Sequence, residues 1–441
     1  MITEKATTAG SRHHVALDQG QREALDLLQT GCNVFLTGAA GTGKSTVTTA
    51  FIGSSLRPVE VAATTGVAAL NLRDQFRARA GIELNVSTVY RWAGINLGPM
   101  PGETHEECFA RLRRIASPAM MNGWRRVARA ECLVIDEISM LPGRVLDYLD
   151  WHCREIRNRK REPFGGLQMV FVGDFLQLPP VSKGGAYDWA FQAQAWRSGC
   201  LMPAVLRTIH RQSDETFTRL LNAVRVGRLG KTEMEVLRGR VAMFPSRDLL
   251  RLFTHNVQVD KWNTFQLEAI ESEERAEAME IMDGPGVKFL LDNLLTPQLL
   301  KFKKGARVMV TVNLTAESGE LVLVNGSLGT VTDWDDDFVW IKADAGGSHG
   351  IPRFTWKANP ERESDGWVSQ FPLRLAWAST IHKSQGLSLD AALIDARATR
   401  DPGQTYTALS RVRSLAGLHL RDVFTGVWVS NEAIQFMETT A

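Results

Sequence analysis

The chain has 441 residues, 44% of them hydrophobic and 23% charged, and sets 51 Lys and Arg against 49 Asp and Glu. It is long enough for roughly two to four domains with separate cores. A net charge of +2 announces no polyanionic partner by itself, so any basic track has to come from local clustering. No window approaches about 18 consecutive apolar residues, which excludes a membrane-spanning helix.

Residues 1 to 14 are polar, lack the apolar stretch of a signal peptide and are expected to form a disordered tail. Apolar residues at helical spacing run from Leu17 through Leu25, Leu27 and Leu28. A buried strand is expected at 32–37, a helix from Ser45 to Ile52, a second strand at Val59–Ala63 and a helix from Val67 to Arg79. Residues 94 to 125 open with Gly94, Gly98, Pro99, Pro101 and Gly102 and then turn basic and helical, the composition of an insertion. Strands follow at 131–137 and around Val170-Phe171-Val172. Strands alternating with helices predict an α/β fold on a mostly parallel sheet, with ligands at the carboxyl ends of the strands.

After Pro203 the pattern restarts. Phe217, Leu220, Leu221 and Val224 predict a helix, and Leu249 to Phe253 a strand. The acidic stretch 268–280 reads as an exposed segment. From Gly305 to Ile341, short apolar runs separated by turn residues such as Asn325-Gly326 predict a small antiparallel barrel inserted in a second α/β unit. Leu373 to His382 and Ala391 to Asp395 return to the α/β pattern. Three Arg-rich clusters, at 111–114, 125–129 and 154–161, read equally well as basic tracks or as solvated helix faces. The five cysteines include no C-x-x-C pair, and Cys32 and Cys132 sit in apolar runs, which suits reduced core thiols.

Two segments carry the chemistry. Gly38-Ala39-Ala40-Gly41-Thr42-Gly43-Lys44-Ser45 fits the phosphate-binding loop, and it lies between an expected strand and an expected helix, as that motif requires. Its glycines let backbone N–H groups turn toward phosphate oxygens at a helix N-terminus. Lys44 is placed to reach β- and γ-phosphates, with the Ser45 hydroxyl and Asp136 on Mg²⁺. Asp136 and Glu137 end the apolar run Leu133-Val134-Ile135, and Glu137 is placed to polarise a water for attack on the γ-phosphate. The chain is therefore expected to hydrolyse a nucleoside triphosphate. Three further segments narrow the choice. Gly173-Asp174-Phe175-Leu176-Gln177-Leu178-Pro179-Pro180 offers Gln177 as a γ-phosphate sensor on a stiff exit. Thr380-Ile381-His382-Lys383-Ser384-Gln385-Gly386 concentrates groups suited to phosphodiester and nucleotide contacts. Arg411 is expected on a helix, as an arginine finger.

Taken in order, these segments resemble the motifs of superfamily 1B helicases, specifically the petite-integration-frequency (Pif-type) family, a relative of RecD, over about Leu17 to Gly417. The resemblance implies two RecA-like P-loop domains in tandem, 15–202 and 203–441. It adds a small wedge at 94–126 in the first and an SH3-like barrel at 297–367 in the second. It implies a nucleotide site of Gln21, Gly38, Ala39, Ala40, Gly41, Thr42, Gly43, Lys44, Ser45, Thr46, Gln385 and Gly386, with Arg211 as a second arginine. It implies DNA contacts at Thr64, Thr65, Gly66, Ser87, Thr88, Tyr90, Thr380, His382 and Lys383. Tyr90 stands where the family commonly has His, and His210 where it often has Phe. The implied activity is an ATP- and Mg²⁺-dependent, 5′-to-3′ monomeric motor on single-stranded DNA, forks and G-quadruplexes, in the cytoplasm of a bacterium or encoded by a phage. A translocase that strips proteins or remodels hybrids, and a P-loop switch binding a protein partner, stay open beside it.

Overall fold

The computed structural model describes residues 16–81, 83–96, 98–100, 102–182, 186–212, 214–241, 249–315, 321–323, 325–358, 363–396, 399–424 and 426–440. The tail expected at 1–14 lies outside them. The first sheet has six parallel strands: β1 (Val34–Gly38), β2 (Val59–Ala63), β3 (Ser87–Thr88), β4 (Cys132–Asp136), β5 (Gln168–Gly173) and β6 (Met202–Leu206), in the order β3-β2-β4-β5-β1-β6. Its central strands are apolar throughout because helices cover both faces. The strand alternation sorts them into two layers. Val34, Leu36, Val134 and Val172 pack with Val47, Phe51 and Phe76. Phe35, Ile135 and Phe171 pack with Leu146, Leu149 and Trp196. The helices on the first face are α1 (Gln19–Gln29), α2 (Lys44–Ser54) and α3 (Gly66–Ala80).

The segment after α4 (Val89–Ala93) is helical, as its composition suggests. Two helices, α5 (His105–Arg114) and α6 (Pro118–Arg129), each start on a side-chain cap, Thr104 with Glu107 in a capping box and Ser117 before Pro118. Much of its basic character is structural. Arg111 forms a salt bridge with Glu103 at 2.7 Å, and the Arg126 guanidinium donates to the carbonyls of Arg91 and Trp92. Arg113, Arg114, Arg125 and Arg129 remain on the surface.

The second sheet has four parallel strands in the order Ala378–Thr380, Arg251–Phe253, Ala392–Ile394, Leu418–Leu420. Helix Glu215–Arg225 packs Phe217, Leu220, Leu221 and Val224 into its core. Between its strands lies a five-stranded antiparallel sheet, Ser348–Pro352, Phe338–Ala343, Leu328–Trp334, Arg307–Val310 and Leu373–Leu375 in that order, with a separate core around Val308, Ile341 and Leu373.

Several expectations change. The antiparallel region begins at Glu274 and ends at Leu375, wider than 297–367. The acidic stretch contains the strand Glu274–Ala278, whose charges are matched by neighbours: Lys301 on Glu274, Arg275 and Arg353 on Glu277. Leu373–Leu375 joins the antiparallel sheet and not the parallel one. Strand β6 runs across the expected boundary at 202/203. Helix Asn431–Thr440, expected in the second unit, puts Ala433 and Met437 into the first unit's core and stacks Phe436 on Phe191 at 4.4 Å. Cys32 is exposed, because β1 starts only at Val34; Cys132 is buried as expected.

The antiparallel insertion docks on α3. Arg73 donates to the Lys357 carbonyl at 3.1 Å, Asn325 to Asn71 at 2.9 Å, and Arg77 lies over the Phe354 ring. A void of only about 10 Å³ at this contact is lined by Asp74, Asn293, Thr311 and Trp356. Burial pushes the Asp74 carboxyl up to about 7 against the pull of Arg73 and Arg77. A carboxyl whose folded pKa is raised binds its proton more tightly in the fold, so this contribution declines as pH rises toward the folded value and is gone above it. Asp74→Asn should therefore be more stable than wild type by a margin that grows from pH 4 to pH 7 and then levels. Thermal unfolding of both proteins across that range checks it.

Candidate functional site

The loop between β1 and α2 needs glycine where it turns. Gly41 and Gly43 both have φ +87°, and a Cβ on Gly43 would run into the Gln21 side chain. Gln21, buried, donates through Nε2 to the Thr42 carbonyl at 3.1 Å and accepts from the Asp18 N–H at 3.1 Å, so its amide braces the loop from outside. Lys44 Nζ donates to the carbonyls of Gly38 at 2.8 Å and Ala39 at 3.2 Å. Burial pulls the Lys44 ammonium down, and Asp174, Glu137 and Asp136 oppose that pull.

Strand β4 delivers Asp136 and Glu137 to the same end of the sheet. Glu137 has φ +54°, a left-handed backbone for a residue with a long side chain, and Thr64 Oγ1 donates to its carbonyl at 3.1 Å. Burial and then the neighbouring Glu137 push Asp136 up to about 7. Burial also raises Glu137, while Lys44, Arg411 and Gln385 draw it back down.

Elements of the second unit close over this end. His210 N–H donates to the Gly41 carbonyl at 2.9 Å, and its ring meets Asp18 at 2.8 Å. The Tyr406 hydroxyl accepts from the Ala40 N–H at 2.9 Å. Asp174, fully buried after β5, holds Arg225 of helix Glu215–Arg225 through two hydrogen bonds of 2.8 and 3.1 Å. Burial alone would raise the Asp174 carboxyl; Arg225 and Lys44 outweigh it and hold it below the usual range. Arg211 donates to the Ser410 carbonyl at 3.3 Å. Arg411 does not lie on a helix: helix Gln404–Leu409 ends before it, and its buried guanidinium donates to the Thr407 carbonyl and Ser410 Oγ, both at 2.9 Å.

A cavity of about 590 Å³ lies between the two units. It is lined by Ala40, Gly41, Gly43, Lys44, Ser45 and Thr46, by Asp136, Glu137 and Gln177, and from the other side by Arg211, Gln385, Gly386 and Arg411. Thr65, His382 and Lys383 line it too. The remaining expected contacts sit elsewhere. Gly38, Ala39 and Thr42 are in the loop behind it. Thr64 is buried under Glu137. Gly66 opens α3 so close to Asn293 that a Cβ would collide with it. Ser87 is buried, Thr88 caps α4, and the Tyr90 ring is half-buried beside Gly98. Thr380 is buried beneath Lys383. Thr65, Thr88 and Thr380 each accept a backbone N–H, from Ala68, Arg91 and Lys383, which leaves the hydroxyl proton for an acceptor such as a phosphate oxygen.

Sequence reasoning missed Arg225 and Tyr406. Both lie in segments whose spacing announces only helices, and their partners, Asp174 and Ala40, are distant in sequence. Ser45 and Asp136 are the pair suited to a divalent cation: both face the cavity, and a carboxyl this costly to ionise is favoured by a cation beside it. Among the described residues no cluster of three or more His, Cys, Asp or Glu could hold a metal by itself, and no helix is long and apolar enough to cross a membrane.

A family model described as PIF1-like helicase matches residues 16–235. ATP-dependent DNA helicase PIF1 of Danio rerio is 36% identical over 437 residues, which are 95% of this chain and 63% of that protein. The chain thus spans less than two thirds of the length of that relative. ATP-dependent DNA helicase Pif1 of Bdellovibrio bacteriovorus is 33% identical over 413 residues, 92% of this chain and 88% of its own. The crystal structure of Bacteroides sp Pif1 in complex with ADP-AlF4 matches with a TM-score of 0.80 at 31% identity, covering 96% of this chain and 97% of that one. Pif1 helicase from Bacteroides in complex with ADP-AlF3 and ssDNA matches with a TM-score of 0.66 at 31% identity over the same shares. The relatives include vertebrate and bacterial proteins, so the bacterial or phage origin expected from the sequence finds no support in them.

Breaking the buried Asp174–Arg225 pair from either side strands a charge away from water. Arg225→Met should destabilise the protein by about 3–5 kcal/mol, and the double variant with Asp174→Asn should recover part of the loss. A double-mutant cycle read by chemical denaturation checks both.

Proposed function

The chain belongs to the PIF1-like helicase family, and on that premise we propose that it is an ATP-dependent DNA helicase that moves 5′ to 3′ on single-stranded DNA and opens duplexes. The observation that supports this most is the shared cavity. Phosphate-loop, acidic-strand and arginine groups surround one space, and the strand-contact candidates His382 and Lys383 open onto it. A charge change at the phosphates is therefore felt at a residue suited to DNA.

In this reading Lys44 gives up its loop carbonyls for the β- and γ-phosphates of ATP. Ser45 and Asp136 hold Mg²⁺, which when bound neutralises charge on the phosphates. Glu137, poised by burial against Lys44 and Arg411, orients and deprotonates the attacking water. Arg211 and Arg411 approach the transferred phosphoryl group from the second unit, and Gln177 reports its presence along the Pro179-Pro180 exit. With ATP bound, the cations of the second unit are drawn onto the first; after hydrolysis that bridging charge is gone and the units separate. DNA held alternately by the two units converts closure into a step. The two RecA-like units, the first extending through strand β6 and taking in helix Asn431–Thr440, are the motor, and the surface arginines of the insertion at 94–126 are suited to holding phosphates at a fork. DNA bound in this way neutralises those arginines as well as Lys383.

Glu137→Gln should keep nucleotide binding and lower DNA-stimulated hydrolysis by about 10²–10⁴-fold, the usual value of a positioned base. Lys44→Ala should abolish turnover. Steady-state ATPase assays with saturating single-stranded DNA check both, and a Glu137→Gln enzyme of wild-type rate would remove the base from this site. Duplexes with a 5′ tail should be unwound and those with only a 3′ tail left intact; the opposite preference would reverse the polarity.

A further inference from the structure

Among the described residues, Arg374 is a buried cation with no carboxylate partner. It stands on the strand Leu373–Leu375, opposite Met309, and is only 9% exposed. Its Nη2 donates to Ser379 Oγ at 2.9 Å and approaches Met309 Sδ at 3.3 Å, while its Nε is buried with no hydrogen-bond partner. Burial alone lowers it, to about 10, and no acidic group opposes the shift. It is still charged at neutral pH. Three other arginines shielded from solvent are answered. Arg307, on the adjoining strand, is paired with Asp344, Arg225 with Asp174, and Arg411 faces Glu137. An unanswered buried charge is expensive, so a fold that keeps one is expected to receive its counter-charge from outside.

The direction from which it comes is set by the neighbours. Ser379, which Arg374 holds, lies on the strand Ala378–Thr380, whose end leads into the short helical turn that carries Lys383. Burial pulls the Lys383 ammonium down and the Arg374 charge pulls it further, with Asp260 as the acid that opposes them. Lys383 lines the cavity, and Thr380 keeps a hydroxyl proton unused. Lys383 thus stands at the cleft with the Thr380 hydroxyl and the Arg374 charge buried behind it, a set that selects a phosphate oxygen.

We propose that Arg374 is a positioning residue for DNA, the buried base of a phosphate site whose exposed rim is Lys383, with Thr380 buried beneath it. This rests on the reading of the cleft as DNA-binding. Arg374 acts through Ser379 and through its field and does not touch the strand. The same chemistry could be met by a phosphate of the nucleotide, which shares the cavity.

The test uses the full chain and a fluorescent oligo-dT, bound without nucleotide over a series of salt concentrations, for wild type, Arg374→Gln and Arg374→Lys. The Gln variant should bind about tenfold more weakly at low salt. Its plot of log affinity against log salt should be shallower by about 0.7, the value of one lost phosphate neutralisation on a single strand. Lys should retain the slope. In the absence of DNA the Gln variant should unfold at the wild-type temperature or above it, since the uncompensated charge has gone. Nucleotide affinity without DNA should not change. An unchanged slope, or a Gln variant less stable than wild type, overturns the proposal. A loss confined to nucleotide binding also overturns it and assigns the site to the nucleotide. A wild-type protein whose oligo-dT affinity ignores salt would instead sink the DNA-binding reading itself.

Discussion

Balancing charges that burial penalises is the constraint on which this structure depends. Lys44, Asp136, Glu137 and Asp174 are brought together at the carboxyl ends of adjacent strands of the first sheet, where burial works against every one of their charges. The first unit cannot balance them alone. Arg225 and Arg411 come from the second unit, one locked to Asp174 and the other facing Glu137. The closed arrangement of two sheets is thus the arrangement in which the charges are answered. Any polyanion that enters alters the same balance, which makes the cleft responsive to its occupant.

Against that constraint the strain at Glu137 has a use. Its left-handed backbone turns the carboxylate away from the strand direction followed by Asp136, so two adjacent acids take different neighbours. Both feel Lys44, but Asp136 has burial and its twin as its main influences, whereas Glu137 gains Arg411 and Gln385. Environments that separate two carboxyls in this way allow one to hold a cation while the other handles a proton.

The phosphate loop, the acidic strand end and the order of the motifs were legible in the sequence because each is a local pattern: glycines where φ is positive, apolar runs where helices cover both faces, carboxylates at a strand end. What escaped were pairings made across the cleft. Nothing in the spacing of Phe217 to Val224 tells that Arg225 points at Asp174, and Tyr406 reads as one more apolar position of a short helix. The acidic stretch 268–280 is exposed as its charge suggested; what the charge did not show is the strand Glu274–Ala278 within it, with Lys301 and Arg353 arriving from elsewhere and Arg275 within the strand to pair its acids. Apolarity misled at Cys32, which precedes the strand it was read with, and at Leu373–Leu375, which pairs with Arg307–Val310.

The last helix returns to the first unit, and this changes what the second unit is mechanically. The chain crosses outward after Leu206 and crosses back before Asn431, where Ala433, Phe436 and Met437 anchor in the first core. A body joined by one strand of chain can swivel about it in any sense. A body joined by two is confined to rotation about the line through both crossings, as a door is by its two pins. Any relative rotation of the two units is then held to one path, and load applied to the second unit reaches the first through two separate attachments. Unpacking helix Asn431–Thr440 would withdraw one of the pins, so this coupling is secured by a few aromatic contacts, among them Phe436 on Phe191 and Phe175.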